Sequence, residues 1–135
     1  MDARAVSEPA DRVVRAFLVA VAQLRHDLPA AAGVDSVADL IRQTRKREIP
    51  REGKLNNGVE YVVHGAGCRF TTTAGVEIDV DIDHNTPVFD AWRLSNFADS
   101  DPGLDEPSLA ELTAAAQRHV AAGELREVRP GWYTP

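Results

Sequence analysis

The stretch Val76-Glu77-Ile78-Asp79-Val80-Asp81-Ile82-Asp83 alternates strictly between aliphatic and acidic side chains. Successive residues of a β-strand point to opposite faces. The pattern therefore predicts a strand with Val76, Ile78, Val80 and Ile82 in a core and Glu77, Asp79, Asp81 and Asp83 on the other side. A helix would scatter the same residues around its axis. Two further strands are predicted upstream. Val59-Glu60-Tyr61-Val62-Val63-His64 has strand composition, and in Cys68 to Thr73 the residues Cys68, Phe70 and Thr72 share one face while Arg69, Thr71 and Thr73 share the other. Gly65-Ala66-Gly67 and Ala74-Gly75 supply the turns, which makes an antiparallel meander with one buried face.

Helical signals flank the meander. Val13, Val14, Phe17, Leu18, Val21, Leu24 and Leu28 recur at spacings of three and four, predicting a helix from about Glu8 to Leu28 with Ser7 as N-cap and Pro29 and Gly33 as terminators. Ser36-Val37-Ala38-Asp39 opens a shorter helix in the manner of a capping box, starting near Asp35 or Ser36. Residues 45–58 are basic and interrupted by Pro50 and Gly53, the composition of an exposed loop. After the third strand, His84-Asn85-Thr86-Pro87 leaves the sheet. Asp90 caps a helix from Ala91 to about Phe97 that buries Phe89, Trp92 or Leu94, and Phe97. Ser108-Leu109-Ala110-Glu111 is a full capping box, opening a helix with Leu109, Leu112, Ala116 and Val120 on its apolar side and Gly123 beyond its end. Leu125 to Val128 adds a fourth strand, with Trp132 and Tyr133 folding back onto the core. The expected fold class is α+β: an antiparallel meander of three to four strands, with N-terminal helices and a C-terminal helix packed on one face.

The chain has 135 residues, the size of a single domain spanning 1–135. At 44% hydrophobic and 27% charged residues it has the balance of a soluble globular protein. A net charge of −6 argues against a general nucleic-acid binder. A lone cysteine excludes an internal disulfide scaffold. No apolar run reaches the length of a membrane span, and Met1-Asp2-Ala3-Arg4 lacks the pattern of a signal peptide, so the expected location is cytoplasmic. No cofactor motif is present and no cofactor is expected.

Three constellations could carry chemistry. Four carboxylates about 7 Å apart along one strand face repel by about 0.6 kcal/mol per neighbouring pair in water. Glu77, Asp79, Asp81 and Asp83 form either a solvated face, a docking face for a basic partner, or, with ligands from elsewhere, a cation site. In His64-Gly65-Ala66-Gly67-Cys68 an imidazole and a thiol flank a glycine turn. They could form a Cys–His nucleophile pair, or two of the four ligands of a zinc site that would also need His84 or carboxylates. The alternative is that Cys68, in phase with Phe70, is a buried and inert thiol. In Phe89-Asp90-Ala91-Trp92-Arg93-Leu94, Asp90 and Arg93 sit three apart on a helix and can pair, and Trp92 is either core or an exposed interface anchor. His26 and His119 are expected at the surface.

On His64-Gly65-x-Gly67-Cys68, Asp79-x-Asp81 and Phe89-Asp90-x-Trp92-Arg93-Leu94, the chain resembles an uncharacterised family of small bacterial proteins, a domain of unknown function of about this length. The resemblance covers residues 59–98 and implies a compact α+β domain; it transfers no catalytic residue. Small acidic families of this type often include immunity proteins that neutralise toxin domains, an analogy of class. The expected function is a non-enzymatic, immunity-like or regulatory binding protein. Its basic, toxin-like protein partner would dock on Glu77, Asp79, Asp81, Asp83, Trp92 and Arg93. The alternative is a small metal-dependent or thiol hydrolase using His64, Cys68, Asp79, Asp81 and His84. The two differ in whether those groups converge on one concave pocket.

Overall fold

The computed structural model describes residues 3–34, 36–65, 67–83 and 86–135, with side chains described from residue 8 onward except those of 32, 83 and 86. In chain order the elements are helices α1 (Ala3–Ala32) and α2 (Val37–Arg45), strands β1 (Glu52–Lys54), β2 (Glu60–His64), β3 (Gly67–Thr71), β4 (Glu77–Asp83) and β5 (Thr86–Val88), helices α3 (Ala91–Ser100) and α4 (Leu109–Ala121), and strands β6 (Arg126–Arg129) and β7 (Trp132–Thr134). The fold is α+β. Strands β1 to β5 form one antiparallel sheet in sequence order, and β6 pairs with β7.

Register follows from the turns. Cys68 faces Val63 and Val80, and Phe70 faces Tyr61 and Ile78. These six residues are buried on the inner face, beneath the helices. Helix α1 presents Val13, Val14, Phe17, Val21, Leu24 and Leu28 to the same core. It begins at Ala3, so Ser7 lies inside the helix rather than at its cap, and it runs past Leu28 to Ala32. Pro29 withholds one backbone donor, but Leu28 and Ala31 are buried and carry the last turn to Gly33, whose φ of 70° ends it.

Helix α2 is capped by Ser36, whose hydroxyl accepts the Asp39 N–H at 3.1 Å. The Asp39 carboxylate accepts from Arg42 and Gln43. At the other end the Glu48 N–H donates to the Gln43 carbonyl and the Arg47 N–H to that of Thr44, a Schellman closure with Arg47 at φ 61° in the position usually given to glycine. Arg47→Gly should relieve about 1 kcal/mol of left-handed strain, partly offset by a freer unfolded chain. A net gain of about 0.5 kcal/mol in urea unfolding is expected, and a loss of stability would contradict this account.

Further regions differ from the sequence expectation. Residues 45–58 are not all loop, because Glu52–Lys54 forms edge strand β1. All three of its residues are exposed, so no hydrophobic alternation marks it. The chain does not leave the sheet at Thr86-Pro87: Thr86–Val88 pairs with Asp81–Asp83 as β5. His84 and Asn85 lie outside the described residues. On α4, flanked by the capping box of Ser108 and Glu111, the buried stripe is Leu112, Ala115, Ala116 and His119, while Leu109 is exposed. His119 is therefore not a surface residue. It sits 3.5 Å from Asp11 of α1, and Asp11 also accepts from Arg118 at 3.3 Å.

An aromatic cluster closes the core. Phe17 lies 4.7 Å from Phe89 and 5.3 Å from Phe97, and Phe89 lies 6.2 Å from Tyr133, between ring centroids. Phe89 and Tyr133 exchange backbone hydrogen bonds, and the Thr134 hydroxyl donates to the Pro87 carbonyl, which fastens the β6–β7 hairpin to β5. Helix α3 takes over where β5 stops: the Glu77 N–H donates to Ser100 Oγ at 2.9 Å, so the helix runs along the edge of β4. Among the described residues no helix is long and apolar enough to cross a membrane.

Candidate functional site

The acidic side of β4 carries the most densely organised polar structure among the described residues. Arg69 on β3 stands opposite Asp79. Its Nε and Nη2 donate to the two oxygens of Asp79 at 2.8 and 3.1 Å, and its Nη1 lies 3.8 Å from Glu77. The fork matches a carboxylate bidentately, which makes this a strong and directional pair. The Asp79 side chain is 8% exposed and that of Arg69 41%. The hydrogen bonds to Asp79 push the Arg69 guanidinium further above its already high pKa.

A second arginine completes the arrangement. Arg93 on α3 donates to Asp81 at 2.9 Å and to Asp90 at 3.2 Å. Asp90 is also the N-cap of α3 and accepts the Arg93 N–H at 3.0 Å. The Arg93 guanidinium lies 4.8 Å over the Trp132 ring, and the Arg129 guanidinium lies 4.6 Å from the same ring. Asp81 fits because residue 67 is glycine: a Cβ there would lie 2.6 Å from Asp81 Oδ1 and 3.1 Å from the Val80 carbonyl. Of the two glycines beside Ala66, Gly65 is the one with positive φ. Gly67 is required instead by the close approach of a neighbouring strand.

These groups surround a cleft of about 130 Å³ lined by His64, Arg69, Asp79, Asp81, Trp92 and Arg93, together with Cys68 and Val80. Trp92 is 54% exposed, whereas Leu94 is buried. Trp92 is thus not core. The larger hollow beside Thr44–Arg51, about 570 Å³, is an open groove between the end of α2 and β1.

The expected row of repelling carboxylates is therefore corrected: Glu77, Asp79 and Asp81 are neutralised or bridged by Arg69 and Arg93 rather than simply solvated. The side chain of Asp83 lies outside the described residues. His64 and Cys68 both border this cleft, but not as an activated nucleophile pair. The burial alternation of β2 and β3 places His64 on the outer, exposed face and Cys68 on the core face with Val63 and Phe70. Burial pushes the Cys68 thiol up to about 12, far from the activated range of a catalytic cysteine. His84, the third ligand of the metal alternative, lies outside the described residues. Among those described, no group of three His, Cys, Asp or Glu side chains is placed to hold a metal ion.

Sequence reasoning named Asp79, Asp81, Trp92 and Arg93, which line this cleft, but not Arg69, which holds Asp79, or Trp132, which lies against Arg93. The signal for Arg69 was present. Thr72 and Val76 close the Ala74-Gly75 turn, and counting the ladder back by three residues sets Arg69 against Asp79. Trp132 had no such signal, since the β6–β7 hairpin lies far along the chain from β4.

A family model described as a domain of unknown function (DUF6896) matches residues 10–134. No curated protein and no solved structure matches the chain.

Proposed function

The chain belongs to the family described as Domain of unknown function (DUF6896), and within it we propose that this member is a non-enzymatic binding protein, immunity-like or regulatory. In this reading it acts in the bacterial cytoplasm and docks a basic protein partner on the outer face of β3, β4 and α3. The observation that carries the proposal is Trp92: a large aromatic ring, mostly exposed, on a capped helix whose next residue is tied to Asp81 and Asp90. An exposed tryptophan on a rigid support is the usual anchor of an interface. Asp81 beside it is held by Arg93, so little side-chain entropy is lost when a partner meets it. The net charge of −6 attracts a basic partner over distance. Burial of Cys68 weighs against the thiol form of the hydrolase alternative.

The test is affinity capture from a lysate of the source cells with three forms of the protein. A basic protein retained by the unaltered chain should be lost with Trp92→Ala, a weakening of about 30-fold for an anchor worth about 2 kcal/mol. It should still bind Val19→Ser, which alters an exposed residue of α1. Glu77→Gln should slow association, with less effect as salt rises. Trp92→Ala should leave unfolding stability within about 0.5 kcal/mol. Equal retention by Trp92→Ala and the unaltered chain overturns the proposal.

A further inference from the structure

Strand β1 is the end of the five-stranded sheet and, among the described residues, pairs with β2 alone. The Val63 N–H donates to the Arg51 carbonyl and the Leu55 N–H to the Val59 carbonyl, each at 2.7 Å. Backbone direction alternates along an antiparallel ladder. Arg51, Gly53 and Leu55 therefore turn their backbone groups toward β2, and Glu52 and Lys54 turn theirs away from the sheet. The side chains of Glu52 and Lys54 are exposed. Between them a Cβ on Gly53 would lie 3.3 Å from the Tyr61 hydroxyl, and that hydroxyl is anchored to the Pro50 carbonyl at 2.7 Å. Tyr61 thus braces the edge where a side chain is missing.

We propose that β1 pairs with β1 of a second copy of the chain, antiparallel about a twofold axis at Gly53, joining two five-stranded sheets into one. The charge order selects this partner and this register. With the axis at Gly53, each Glu52 stands opposite a Lys54 of the other copy, and these outward-facing residues exchange their N–H and carbonyl groups. Moving the axis to Glu52 sets glutamate against glutamate and Lys54 against Pro50, which has no N–H to give. Moving it to Lys54 sets lysine against lysine. Opposite charges across a strand pair stabilise and like charges destabilise, so one register is favoured over its neighbours. The contact is isologous, so it closes at two copies rather than growing into a fibre. It uses a different part of the molecule from the docking face, and either can fail without the other.

Sedimentation of the whole protein over a concentration series tests this. The unaltered chain should show a concentration-dependent monomer–dimer equilibrium. Glu52→Lys alone and Lys54→Glu alone should each weaken it about tenfold or more, since both cross-strand pairs become repulsive. An equimolar mixture of the two variants should restore association, because each then offers the other a complementary edge. Both positions are exposed, so folding should be preserved, as far-UV circular dichroism would show. Amide exchange adds an independent readout: the N–H groups of residues 52 and 54 should become protected as concentration rises. A chain that stays monomeric up to about 1 mM, where only weak contacts persist, overturns the proposal. So does a dimer that both single variants leave unchanged, or a mixture that associates no better than the variants alone.

Discussion

Native protein should resist thiol reagents: at pH 8 Cys68 is expected to hold about a thousandfold less thiolate than an ordinary thiol, because burial lifts it from 9.0 to about 12. The same shift makes stability fall in alkali. Above pH 9 the unfolded chain releases the Cys68 proton while the folded chain keeps it until about 12. The unfolded state then binds fewer protons, and unfolding free energy declines with rising pH. Cys68 alone contributes a slope of up to about 1.4 kcal/mol per pH unit over that window. Burial also raises the phenols of Tyr61 and Tyr133, which act in the same direction. Urea midpoints between pH 8 and 11 should fall steadily, and Cys68→Ala should flatten part of the decline. Fast labelling of the folded protein at pH 8 would refute the placement of Cys68 in the core and return weight to a thiol enzyme.

Replacing Arg69 with methionine should cost about 2 kcal/mol. Removing one partner of a buried pair strands the other charge, and Asp79 has little solvent to turn to. The loss falls below that of a fully buried pair because Arg69 is itself partly in water. The double variant Arg69→Met, Asp79→Leu should recover most of it, since a well-packed apolar pair on an open sheet face leaves no charge unmatched. Chemical denaturation of the two single variants and the double variant gives the coupling directly. A value of Arg69→Met within about 0.5 kcal/mol of the unaltered chain would show that the ion pair is solvated.

The residues that made the fold legible are those with a period. Ile78 and Val80 against Asp79 and Asp81, the stripe from Val13 to Leu28, and the cap at Ser108 each tie a local rule to a visible spacing. Features without a period escaped. Glu52–Lys54 is a strand because β2 offers it a ladder, not because its own side chains alternate in polarity. His119 is buried because Ala115 and Ala116 occupy the same face of α4 and Asp11 waits on α1. The acidic stripe was located correctly, but its meaning changed with the arginines supplied by a neighbouring strand and a helix. Facing residues on one strand pair can be counted from a turn. The Arg93 bridge to Asp81 needs the path of α3, which no local pattern fixes.

The clasp between Asp11 and Arg118, residues 107 positions apart, bears on how the chain reaches its native state. The β2–β3 and β3–β4 hairpins close over short loops and can form early. The packing of α4 on α1 and of the β6–β7 hairpin on Phe89 must instead close loops of some 40 to 100 residues, with a correspondingly larger entropic barrier. Phe89, packed on Phe17, therefore lacks Tyr133 as a neighbour until the β6–β7 hairpin has docked. Until the β6–β7 hairpin docks, a half-built aromatic cluster stays open to water, so aggregation is most threatening before that hairpin has packed on Phe89.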